Sequence, residues 1–144
     1  MMAIAHAASA LCPVPAARAF AYLTSAAGMA RWCLGMSGCA EVDSGLMRGC
    51  SWFDGSQAYV RIDADAARGI VDYHCGATPD ALVPRIYARV VPGSRLGHHA
   101  DHCIVTLLAW REAGMDDARW ARVVASHEAE VLLVREQLAA QITP

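Results

Sequence analysis

The sequence has no lysine and no asparagine, and all 12 of its Lys/Arg positions are arginine. Chemistry through a lysine Schiff base is therefore excluded. Charge is also sparse, at 18% of residues with a net of −2, and the arginines are scattered rather than clustered. That argues against nucleic acid as a partner. No apolar run approaches the ~20 residues that span a bilayer, so no membrane span is expected. The Ala-rich stretch from Met1 to Ala19 imitates a signal peptide. It lacks a positive start and is broken by Pro13 and Pro15, so the chain reads as cytoplasmic.

The six cysteines form no C-x-x-C pair, and no histidine stands at zinc-finger spacing from them. They read as small buried hydrophobes in a reducing compartment. Glycine-rich dinucleotide and phosphate loops, the Gly-x-Ser-x-Gly elbow and the His-Glu-x-x-His helix are all missing. No cofactor is expected. His98, His99 and His102 make a local histidine tract. Neighbouring strand positions diverge, however, and nothing elsewhere completes a ligand set, so no metal is assigned.

What the sequence does have is apolar material. At 144 residues and 56% hydrophobic, it suits one domain covering 1–144. A domain of this size buries roughly 70% of its unfolded surface.

Met2 to Leu11 reads as a first strand. Pro15 opens a short helix ending near Thr24, and Ser25 caps a second that carries Met29, Trp32 and Cys33. The apolar period then drops to alternate residues. Ala58, Val60, Ile62 and Ala64 form one face, followed by Val71, Tyr73 and Cys75. Ile86, Ala88 and Val90 continue it, then Cys103, Val105, Leu107 and Ala109. Turns at Asp43-Ser44-Gly45, Asp54-Gly55, Thr78-Pro79-Asp80 and Pro92-Gly93-Ser94 separate the strands. Connections this short demand an antiparallel meander. From Asp116 a long amphipathic helix follows. Trp120, Val124, His127, Val131, Val134 and Leu138 recur along it at three- and four-residue steps.

Two stretches and the meander between them carry a family resemblance. Pro15-Ala16-Ala17-Arg18-Ala19-Phe20-Ala21-Tyr22-Leu23-Thr24 followed by Met29-Ala30-Arg31-Trp32 is one. Arg119 to Leu138 is the other. Together the chain resembles the helix-grip superfamily of START-like, Bet v 1-like and polyketide cyclase/dehydrase-like proteins. The resemblance implies an α+β fold: a curved antiparallel sheet of about six or seven strands around a long C-terminal helix. Two short helices follow its first strand. It also implies a cavity between sheet and helix, but no particular reaction.

In that frame the apolar strand positions line the interior. The outer face carries Arg61, Asp63, Asp72, His74, Arg85 and Arg89. The cavity is then nearly uncharged, which suits a hydrophobic small molecule such as a lipid, an aromatic or a polyketide-like compound. Expected lining residues are Trp32, Trp52, Tyr73, Ile86, Val105, Trp120, Val124, His127 and Val131. His127 is the ionisable group on the apolar stripe, either a satisfied core histidine or a general acid/base. Tyr73 and Glu130 are candidates to assist it in a cyclase- or dehydratase-type reaction. A third reading is a protein-interaction or chaperone-cofactor domain that uses Tyr59, Tyr87 and Trp110 on the outer face. Nothing sets the oligomeric state, and a homodimer stays open.

Overall fold

The computed structural model describes residues 3–141. Strand β1 (Ala5–Cys12) is followed by helices α1 (Ala16–Leu23) and α2 (Ala26–Trp32). Six strands come next: β2 (Ser37–Asp43), β3 (Leu46–Cys50), β4 (Gln57–Asp65), β5 (Ile70–Gly76), β6 (Val83–Pro92) and β7 (Cys103–Trp110). Helix α3 (Asp117–Ala140) closes the chain. The seven strands make one antiparallel sheet in the order β1-β7-β6-β5-β4-β3-β2. This is the element order the resemblance implies. Among the described residues no helix is long and apolar enough to cross a membrane.

Strand alternation places the core. On β7, Cys103, Val105, Leu107 and Ala109 are all buried, while the residues between them are half-buried. Val60, Val71, Tyr73, Ala88 and Val90 extend the same wall. α3 starts at Asp116, whose carboxylate accepts the Arg119 backbone N–H at 2.7 Å and so satisfies one orphan donor of the first turn. Its 24 residues run about 36 Å at 1.5 Å each. It buries Trp120, His127, Val131, Val134 and Leu138, whereas Val124 is only half-buried. The helix packs most closely on β1 and β7. Small inward side chains on β1, Ala8 and Ala10, admit that approach.

Gly28 sits inside α2 for a steric reason. A Cβ there would stand 2.0 Å from the Tyr22 carbonyl oxygen. The close crossing of α1 and α2 therefore depends on a residue with no side chain. Ser25 caps α2 as expected, its hydroxyl accepting the Gly28 N–H at 3.0 Å.

Tyr73 is a structural hydroxyl. It is buried on β5 and donates at 2.7 Å to the carbonyl of Leu23, the last residue of α1. Helix ends leave such carbonyls without intrahelical partners. We expect Tyr73→Phe to lose about 1–3 kcal/mol in urea unfolding, because the Leu23 oxygen is left buried and unsatisfied. Small-molecule binding by the same variant should not change.

One departure from strict alternation matters for function. Between β5 and β6, Tyr73 pairs with Ile86, but His74 pairs with Pro84. Arg85 is the extra residue of a β-bulge. A bulge puts two residues opposite one and re-aims a side chain. The expectation that Arg85 belongs to the outer face is thereby corrected: it is exposed at the rim of a cavity that Ile86 also lines.

Candidate functional site

α3 leans on β1 and β7, and its first half therefore stands away from the ends of β4, β5 and β6. The gap is a cavity of about 540 Å³. β4 contributes Gln57 and Ala58, β5 Cys75 and Gly76, and β6 Arg85 and Ile86. Cys33 and Gly35 come from the segment after α2. From α3 come Arg119, Trp120, Arg122, Val123, Ser126, His127 and Glu130, one continuous side of the helix. A second hollow, between α1 and the β4–β5 turn, measures about 220 Å³. That is below the ~300 Å³ at which small-molecule pockets begin.

Of the expected lining residues, the structure brings together Ile86, Trp120 and His127, with Glu130 beside them. The others lie elsewhere. Trp32 is buried behind the lining, edge-on to Tyr73 at 5.9 Å between ring centroids. Val105 and Val131 are solid core. Val124 is half-buried on α3 outside the lining. Trp52 is 70% exposed, because it follows β3 into a surface turn; its neighbour Phe53 reaches the rim instead. Cys33, Arg85, Glu112, Arg119 and Arg122 line the cavity without having been expected there. Only Cys33 had a usable sequence signal, through its place beside Trp32.

The lining is not nearly uncharged, as strand alternation suggested. Arg85 forms an ion pair with Glu112 across the rim. Arg119 and Arg122 are exposed at the first turns of α3, and Arg122 lies 5.4 Å from the centre of the Phe53 ring. Deeper in, Glu130 is 3% exposed and accepts the Leu34 backbone N–H at 3.0 Å. Burial pushes its carboxyl up to about 7, against the opposing pull of the Leu34 N–H and the Cys33 thiol. His127 is 2% exposed, and its Nδ1 is buried without a hydrogen-bond partner among the described residues. Burial, and secondarily His6, pushes its imidazole down to about 4. At neutral pH His127 is an uncharged base.

The thiols at the floor are not nucleophiles. Burial raises Cys75 to about 12, with Arg85 pulling the other way. Burial also raises Cys33 well above its usual range, and Glu130 adds to this. Both are protonated at neutral pH, whereas nucleophilic attack needs the thiolate. The histidine tract lies apart from the cavity. His99 accepts the Asp101 N–H at 3.1 Å, and its ring meets that of His102 edge-on at 5.7 Å. Among the described residues no three His, Cys, Asp or Glu side chains converge as a metal site.

No family model matches the sequence. Nor does any curated protein sequence match it. Solved structures do. The aromatase/cyclase ZhuI from Streptomyces sp. R1128 superposes with a TM-score of 0.67 at 17% identity, over 96% of this chain and 95% of its own. The di-domain aromatase/cyclase BexL gives 0.71 at 20% identity, over 97% of this chain. The match takes in only 48% of BexL, so this chain spans about half of that protein. The Aha1 dimer from Colwellia psychrerythraea gives 0.68 at 11% identity, over 94% and 96% of the two chains.

The fold is the helix grip.

At these identities the likeness extends to the backbone path and not to the chemistry of the helix-grip cavity.

Proposed function

We propose that this helix-grip chain binds a small, largely apolar molecule in the cavity between α3 and the ends of β4–β6. One observation carries the reading. The space is about 540 Å³, within the roughly 300–1,000 Å³ of small-molecule sites. Its walls join apolar surface from Ala58, Ile86, Trp120 and Val123 to a few polar groups at fixed places. Such a mixture suits a body that is desolvated and one or two ends that are oriented. Lipids, aromatics and polyketide-like compounds all meet that description.

The test is a fluorescence titration with N-phenyl-1-naphthylamine, a neutral dye that brightens in apolar surroundings. We expect saturable one-to-one binding with quenching of tryptophan emission, since Trp120 lines the site. A linear, unsaturable signal would overturn the proposal.

A second reading is favoured by a separate observation. His127 and Glu130 lie a turn apart on α3, and their environments invert the usual order of their acidities. A neutral imidazole and a carboxyl that is about half protonated at neutral pH, one helical turn apart, supply a base and an acid to the same cavity. On that reading His127 takes a proton from a bound carbonyl compound and Glu130 supplies one, as a cyclase or dehydratase requires. Tyr73 has no place in it, because its hydroxyl is committed to Leu23. The aromatase/cyclase neighbours make this chemistry the natural one to assay.

A further inference from the structure

Two arginines at the cavity mouth form no ion pair among the described residues. Arg85 is neutralised by Glu112. Arg119 and Arg122, one turn of α3 apart on the same rim, have no carboxylate within ion-pair distance among the described residues. The acidic groups near them point to other donors, and Asp54 and Asp116 keep their charge without contacting either guanidinium. The Asp116 carboxylate caps α3 through the Arg119 backbone N–H. Asp117 pairs with Arg111. Asp54 feels the Arg122 charge but accepts hydrogen bonds from the Ser56 N–H and hydroxyl at 2.9 and 2.6 Å. Arg122 is also held against the half-exposed Phe53 ring, which orders a side chain that is otherwise costly to immobilise.

Resting on the binding reading above, we infer that the ligand is an amphipathic organic anion. Its aromatic or aliphatic body lies against Ile86, Trp120 and Val123, and its single carboxylate sits at the mouth between Arg119 and Arg122. The geometry suits this ligand class in two ways. Guanidinium groups are weakly hydrated and present planar donor forks that match a carboxylate. The apolar wall next to them takes the ligand's body, so one molecule can use the wall and the two guanidinium groups together. A neutral lipid-like molecule would use the wall and leave both arginines to water.

Two dyes of the same skeleton separate the contributions. 8-Anilino-1-naphthalenesulfonate is N-phenyl-1-naphthylamine with one sulfonate added, and that sulfonate stands in for the carboxylate as a single fixed negative charge. We expect the anionic dye to bind at least about tenfold more tightly at low salt, with the ratio shrinking as salt screens the pair. The double variant R119Q/R122Q should bring the two dissociation constants together. Equal affinities in the unaltered protein overturn the inference and leave cavity binding standing. Failure of the neutral dye to bind overturns the binding reading itself. A preference that survives R119Q/R122Q overturns the assignment to these two arginines.

Discussion

Replacing Glu130 by glutamine should make the protein's stability rise with pH by about 3 kcal/mol between pH 4 and pH 6.5, at 1.36 kcal/mol per pKa unit. Replacing His127 by glutamine should do the reverse. Stability should then fall by about 3 kcal/mol as pH rises from 4.5 to 7. The signs follow from where the protons sit. His127 moves from an ordinary 6.5 down to about 4 on folding, so in that interval the unfolded chain binds the proton and the folded chain does not. Acid therefore favours unfolding. Glu130 moves from 4.5 up to about 7. In that interval the folded chain keeps a proton that the unfolded chain releases, and base favours unfolding. In the unaltered protein the two slopes oppose each other between pH 4.5 and 6.5 and nearly cancel. Glutamine at 130 still offers an acceptor to the Leu34 N–H, so the variant removes a titration without orphaning the backbone. Urea unfolding across a pH series reads both slopes. Variants that track the unaltered protein throughout would show that neither group is buried as described.

The same pair shapes what the cavity can do. Between about pH 4 and pH 7 the floor holds two groups that are mostly uncharged, one basic and one acidic. An apolar ligand can then be seated over them with little loss of ion hydration, whereas two charged groups there would resist desolvation. On the second proposed reading, proton transfer to and from a bound carbonyl compound would use these two groups and neither a thiolate nor a lysine. Above the Glu130 titration the floor gains a negative charge, and affinity for an anionic ligand should weaken.

Where local periodicity decides a feature, the fold was legible in the sequence. The meander showed in the alternation of residues such as Val71-Asp72-Tyr73-His74-Cys75. The inward stripe of α3, with His127 on it, showed in steps of three and four, while how deeply His127 is buried did not. Features decided by how elements meet were hidden. Glu130 looked like a neighbour of His127 along the helix. Its actual partner is the Leu34 N–H, 96 positions away, and only the crossing of α3 over the end of α2 joins them. Tyr73 looked like an inward polar tip; the Leu23 carbonyl that claims it lies 50 positions away. Arg85 alternates to the outer face in the sequence, and a single bulge brings it to the cavity rim. Register between strands is a property of two segments, so neither segment alone discloses it. Trp52 is expected in the lining, yet it falls where β3 has already ended.

Filling the cavity should abolish binding while leaving the fold in place. Val123 and Ser126 lie on the cavity side of α3, about one turn apart, and neither is fully buried. The double variant V123W/S126F projects two rings into space that is otherwise open. It breaks no inter-element bond, because the Ser126 hydroxyl donates only to the Arg122 carbonyl of its own helix. Added bulk in a filled core strains the structure by about 1–3 kcal/mol, but bulk entering an open cavity has room. Leu132, 45% exposed on the outer side of α3, supplies the control L132W. The decisive measurement is the N-phenyl-1-naphthylamine titration of these proteins side by side, with thermal unfolding of each. The expected result is binding weakened at least about tenfold in V123W/S126F, a loss of some 1.4 kcal/mol or more, with a cooperative transition retained and L132W unchanged. If the folded double variant binds the dye as tightly as the unaltered protein, the cavity between α3 and β4–β6 is not the binding site.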